Sequence, residues 1–151
     1  MRLSVVACLA LIAATAAAPL SRQAALEIMH ERHEGMEAVG KVNKILRREI
    51  TANSPNIAAI RSASATMATL AGKSARWFPH GTGPDVGKTG AKPEIWQKPA
   101  DFAAKDRDFQ GASKALQQAA ARGDLAVIKA SYGKLGGTCK ACHDPYRSEM
   151  H

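Results

Sequence analysis

The sequence predicts an all-α fold, an antiparallel up-and-down four-helix bundle. Three observations carry that prediction. Apolar residues recur at alternating steps of three and four in four separate stretches, the spacing that lines one face of a helix. Only one long break interrupts these stretches, and the last two are joined by a glycine–aspartate pair. Aromatic residues make up only 5% while alanine is abundant, a composition suited to close helix packing rather than to a β-sandwich.

The first helix is expected from a Ser21 cap to about Ile50. Its seam reads Leu26, Met29, His33, Met36, Gly40 and Asn43, widened by Val39, Val42 and Leu46. Asn53-Ser54-Pro55 reads as a stop and a new start, with Ser54 as N-cap and Pro55 as first helical residue. Ile57, Ile60, Ser64, Met67 and Ala71 then carry the second helix to about Phe78. Residues 79–93 hold Pro79, Gly81, Gly83, Pro84, Gly87, Gly90 and Pro93, which no helix sustains, so this is the one long loop. Glu94-Ile95-Trp96 forms a turn before Pro99. The third helix runs from Pro99 or Asp101 to Arg122 on Phe102, Phe109 and Leu116. Gly123 suits the residue after a helix and Asp124 the cap of the next, a junction that demands an antiparallel hairpin. The fourth helix, from Leu125 to near the C-terminus, carries the seam Leu125, Ile128, Tyr132, Leu135, Cys139, Cys142, Tyr146.

At 151 residues the chain is one domain preceded by an export signal. Met1-Arg2, a short apolar run from Leu3 to Ile12 and the small residues from Ala13 to Ala18 make a signal peptide over 1–17, cleaved to leave a mature bundle over 18–151. The apolar run is too short for a membrane span, and Cys8 leaves with the signal. The expected location is the periplasm. The formal charge is +8, which favours acidic partners through long-range steering. The basic residues are spread along the chain rather than clustered, and export adds to the case against nucleic acid.

Cys139-Lys140-Ala141-Cys142-His143 is the attachment signature of a c-type haem: two thiols bond the porphyrin edge and the histidine offers its imidazole to the iron. On a helix the two cysteines share a face and His143 lies one turn from Cys139. A zinc site would want a second Cys/His pair, and a thioredoxin-type site a βαβ setting. A disulfide between residues so near in sequence would close too short a loop to stabilise much. One haem c with its iron is therefore expected in the bundle core, and Gly136-Gly137 one turn earlier leaves room for a flat ring.

The chain also resembles the class II c-type cytochromes, the cytochrome c′ family and its low-spin relatives. The resemblance rests on the Cys139–His143 motif with Asp144, Tyr146 and Arg147, on Lys92-Pro93-Glu94-Ile95-Trp96, on Gly123-Asp124-Leu125, and on Arg32 with Met36 and Gly40. It implies a left-handed four-helix bundle, commonly a homodimer packed through the first two helices. His143 is then the proximal ligand, Arg32 approaches a haem propionate, and Arg147 lies near the proximal histidine. The distal position falls on Met36. Members with a non-coordinating residue there bind gases such as NO and CO, whereas low-spin members place a methionine sulfur on the iron and carry electrons.

A thioether is a soft ligand suited to electron-transfer haem iron, and the strings around Met36 and Arg76-Trp77-Phe78-Pro79 look like the low-spin branch. The expectation is therefore periplasmic one-electron transfer with His143/Met36 ligation, no substrate transformed, and redox proteins as partners. The alternative is a five-coordinate cytochrome c′ that binds NO or CO. Met29, Met67 and His33 are the rival distal groups, and Met150 lies on the proximal side. His30, His80 and His151 look exposed or loop-bound.

Overall fold

The computed structural model describes residues 19–149. The signal segment, Cys8, Met150 and His151 lie outside the described residues. Helix α1 spans Arg22–Thr51, and the Ser21 side chain accepts from the Ala24 N–H at 3.2 Å, which satisfies one of the unpaired donors of the first turn. Helix α2 spans Ile57–Ala71, a short α3 spans Glu94–Gln97, α4 spans Pro99–Arg122 and α5 spans Leu125–Tyr146.

The second helix is shorter at both ends than its seam predicts. Asn56, not Ser54, is its cap: the amide oxygen accepts from the Ala59 N–H at 3.0 Å, so Pro55 stays outside. Its end comes at Ala71, whose carbonyl lies 2.7 Å from the Ser74 hydroxyl oxygen, and a 3-10 turn over Ser74–Trp77 takes over. That tighter turn drives Trp77 inward, where it is 2% exposed. A side chain that offers the backbone another partner competes with helix continuation.

Hydrogen bonds between elements fix the topology. Arg61, early in α2, donates to the carbonyls of Ala120 and Ala121 at the end of α4, while Ser74 beyond α2 donates to Asp106 nearer the start of α4. Helices α2 and α4 are therefore antiparallel. Gly123 closes α4 with φ +80°, a left-handed conformation that glycine adopts without a Cβ clash. The carboxylate of Asp124 then accepts from the Ala126 and Val127 N–H groups to start α5. With the short link between α1 and α2, these joints make the up-down-up-down bundle that the sequence predicts. Leu46, Ile60, Met67, Leu116, Ile128 and Leu135 fill its core.

The bundle does not close evenly. Helix α1 packs along α2, α2 along α4 and α4 along α5, but α1 and α5 meet over only a short stretch. There the Tyr132 hydroxyl donates to Asn43 Oδ1 at 2.9 Å.

The seam predicted for α1 is partly displaced. Its buried stripe is Ala25, Met29, Arg32, Val42, Leu46 and Ile50, while Leu26, His33, Gly40 and Asn43 are exposed. Arg32 breaks the apolar pattern at an inward position, which is why an apolar count chooses the neighbouring stripe. Its burial is the first clue to the site.

Candidate functional site

On α5 the motif continues the inner seam. Ile128, Leu135 and Tyr146 are buried, Cys139 and Cys142 are half-buried on the same stripe, and His143 is exposed one position further round. Burial pushes both thiols up, Cys142 to about 11 with help from the charge of Asp106. They are protonated at neutral pH and weakly nucleophilic without further activation. The His143 imidazole moves the other way. Partial loss of water around the ring, and then the charge of Arg147, lower its pKa, against a smaller opposing effect from Asp144. A neutral imidazole is the form that binds a metal.

Helix α1 supplies the facing wall. In an antiparallel pair, equal steps in opposite directions from the Asn43–Tyr132 contact stay level. Seven residues back on α1 is Met36, and seven forward on α5 is Cys139. Gly40 and Gly136 are nearly level by the same rule, and a Cβ built on Gly40, Gly136 or Gly137 would meet nothing within 4 Å. Met36 is half-buried. Of the rival ligands, Met29 is buried with its thioether against Gly87, Met67 is 1% exposed in the main core, and His33 is exposed and faces Glu37 at 3.4 Å. Two thiols and a neutral imidazole on one wall, and glycines without side chains on both, fit a flat covalently held ring between α1 and α5.

Arg32 sits one turn before Met36 and is 5% exposed. Its Nη1 donates to the Trp77 carbonyl and Thr82 Oγ1 at 3.1 and 3.2 Å, and its Nη2 to the Thr82 carbonyl and Thr89 Oγ1, both at 3.0 Å. The guanidinium also lies over the rings of Phe78 and Trp96, at 5.1 and 5.9 Å. Burial lowers its pKa to about 10, so the charge persists at neutral pH. No carboxylate lies within ion-pair distance of it among the described residues. A guanidinium has five N–H groups; these bonds use four and leave Nε–H. The residue read as a propionate contact is thus first the anchor of the 79–93 loop. Gly35 makes room for that anchor: a Cβ there would lie 2.4 Å from the Trp77 ring.

Below the cysteines, Phe78, Phe102 and Tyr146 stack edge to face, with centroids 4.8 and 5.2 Å apart. The Tyr146 hydroxyl donates to Asp101 Oδ2 at 2.5 Å. Buried Asp106 accepts from Ser74 and, at 2.6 Å, from Gln110. Arg147 is exposed, and its backbone forms an isolated antiparallel bridge with Ala91. Thr82, Thr89, Asp101 and Asp106 all escape sequence reasoning, because their roles depend on partners distant in the chain. The clue within reach was Gly35, a glycine in mid-helix with no turn to explain it.

A four-helix bundle with a C-x-x-C-H motif on the inner seam of its last helix defines a c-type haem protein. Residues 27–147 match the family model described as Cytochrome C′, and the chain belongs to that family. Its cofactor is accordingly a covalently attached haem c with its iron. The chain is 34% identical over 146 residues to cytochrome c′ of Allochromatium vinosum, covering 93% of this chain and 91% of that protein. A solved cytochrome c′ described as having a ligand-controlled dimer dissociation is 29% identical, with TM-score 0.76, over 87% of this chain and 100% of that one. A nitric oxide complex of a variant cytochrome c prime from Alcaligenes xylosoxidans is 28% identical, with TM-score 0.75, over 83% of this chain and 97% of that one.

Proposed function

We propose that Cys139 and Cys142 hold the haem, that His143 binds its iron, and that the sixth position is left to small diatomic ligands such as NO and CO. The observation that carries the reading is that Cys139 and Cys142 lie on the inner seam of α5 with His143 beside them, while α5 makes little direct contact with α1. The family supports an open sixth position over the Met36 ligation expected from the sequence, since a relative similar over most of this chain is a nitric oxide complex.

When bound, the haem supplies reversible one-electron chemistry and an iron that takes diatomic ligands. The chain's own residues do the rest. The protonation state of His143 suits it to bind metal, the two cysteines fix the ring's register along α5, and Met36, Val39 and Gly40 form the distal wall. Half-buried apolar groups there exclude water and leave a small apolar gas the better competitor for the space. The buried charge of Arg32, lacking a carboxylate and with Nε–H spare, supports its expected approach to a propionate. Arg147 lies on the proximal side, where its charge adds to desolvation in lowering the pKa of His143. No substrate is transformed in this reading.

A second reading keeps His143/Met36 ligation and electron transfer alone. The observation in its favour is that Met36 is level with Cys139 while Met29 and Met67 are packed elsewhere. In either reading export to the periplasm, redox partners with acidic surfaces and a homodimer through α1 and α2 belong to the proposal. The relative with a dissociating dimer supports the last. No helix among the described residues is long and apolar enough to cross a membrane.

The covalent part is tested by acid–acetone extraction of the holoprotein. The haem should stay with the chain, and the paired substitution Cys139→Ser with Cys142→Ser should release it. Extraction from the unaltered protein contradicts the assignment.

A further inference from the structure

The hydrogen bonds around Thr89 join the two walls of the site into one unit. Its Oγ1 accepts from Arg32 Nη2 at 3.0 Å and from the Ala91 backbone N–H at 3.1 Å. Ala91 is bridged to Arg147 across an antiparallel pair. On either side of that bridge the Lys92 N–H donates to the Tyr146 carbonyl at 3.0 Å and the Ser148 N–H to the Gly90 carbonyl at 2.9 Å. The Arg147 N–H in turn donates to the carbonyl of His143 at 2.9 Å. A continuous path therefore runs from Arg32, one turn from Met36, through a single hydroxyl oxygen to the backbone of His143.

Packing on α4 and the Tyr146–Asp101 bond hold the end of α5 to the bundle, but they do not reach α1. Helices α1 and α5 make little direct contact, and the Asn43–Tyr132 hydrogen bond between them lies about two turns from the Met36–Cys139 level. The 90–92 segment belongs to no helix and is held from one side by Thr89 and from the other by residues 146–148. Its partner Arg32 is buried and cannot turn to solvent for a substitute acceptor.

The geometry points to Thr89 as a positioning residue, whose hydroxyl oxygen sets the last turn of α5, and with it His143, against the distal helix α1. The inference rests on the reading of His143 as the iron's ligand. A hydrogen bond from a charged donor contributes more than a neutral one, and leaving a buried donor unpaired costs more still. Loss of the oxygen should loosen the strap far more than loss of a methyl group.

Hydrogen exchange on the wild-type holoprotein gives the first test. The amides of Ala91, Lys92 and Ser148 should exchange through one shared opening, with protection agreeing within about threefold. Protection spread over more than about a hundredfold overturns the strap, whatever any variant does. The second test is Thr89→Val, which keeps the shape and removes the oxygen. Those amides should exchange about tenfold faster or more, and the iron–histidine stretching band of the ferrous protein should shift in resonance Raman spectra. Thr89→Ser, which keeps the oxygen, should restore both. Wild-type protection in T89V, a band that stays put while the amides loosen, or T89S behaving as T89V each overturns the proposal. A wild-type protein with no iron–histidine band would fail the functional reading instead, and the exchange result would then judge the strap alone.

Discussion

Tyr146 shows how one side chain ties the motif to the bundle. It is 3% exposed, one turn beyond Cys142, and its hydroxyl meets Asp101 of α4. Burial first, and then Asp101, push its phenol up to about 12 from the ordinary 10.0. A raised pKa means the folded state holds the proton more tightly than the unfolded chain does. The stabilisation is complete below pH 10 and is lost as pH rises toward 12. Urea titrations should show wild-type stability falling through that window by more than in Tyr146→Phe. At pH 7 the same variant should be less stable by about 1 kcal/mol, the worth of one hydrogen bond. A flat wild-type profile from pH 10 to 12 would remove Tyr146 from this role. Arg32 is the other residue on which the site turns. Its conflict with the apolar pattern of α1 is local, and the loop it organises removes that conflict.

Among the elements, the junction between α4 and α5 was the most legible. Gly123 and Asp124 carry their own conformational chemistry, and both do what their types predict. Replacing Gly123 by alanine forces a Cβ onto a φ of +80° and should cost about 1–2 kcal/mol, measured as a lower urea midpoint with unchanged slope. An unchanged midpoint would mean the junction tolerates another turn. The ends of the second helix were less legible. Ser54-Pro55 is a good start signal, but Asn56 is as good a cap and lies nearer the buried Ile60. The stop at Ala71 depends on Ser74, whose second partner, Asp106, is in another helix. For α1 the spacing was right and the stripe was shifted, because a buried arginine counts as polar in any hydrophobic pattern. The 79–93 loop was legible as a loop, but not as one pinned to α1 and to the end of α5.

At the scale of the molecule, the helix order and the position of the motif follow from period, caps and one short signature. What period alone leaves open is how evenly the helices close, since a seam says which face is inward and not what it meets. Helices α1 and α5 touch far less than α1 and α2 or α4 and α5, and the antiparallel register from Asn43 and Tyr132 brings Met36 level with Cys139. Methionine on that wall admits both a bound thioether and an apolar lining, and the chemistry of the side chain does not choose between them. Membership of the cytochrome c′ family moves the proposal from the first to the second. The direct test is the visible spectrum of the holoprotein, ferric and ferrous, before and after CO. With an open sixth position the holoprotein should show a high-spin spectrum in both states and ready CO uptake, with Met36→Leu nearly unchanged. A low-spin ferric spectrum with a weak sulfur-to-iron band and poor CO uptake, turned high-spin by Met36→Leu, would contradict it and make this protein a His143/Met36 electron carrier.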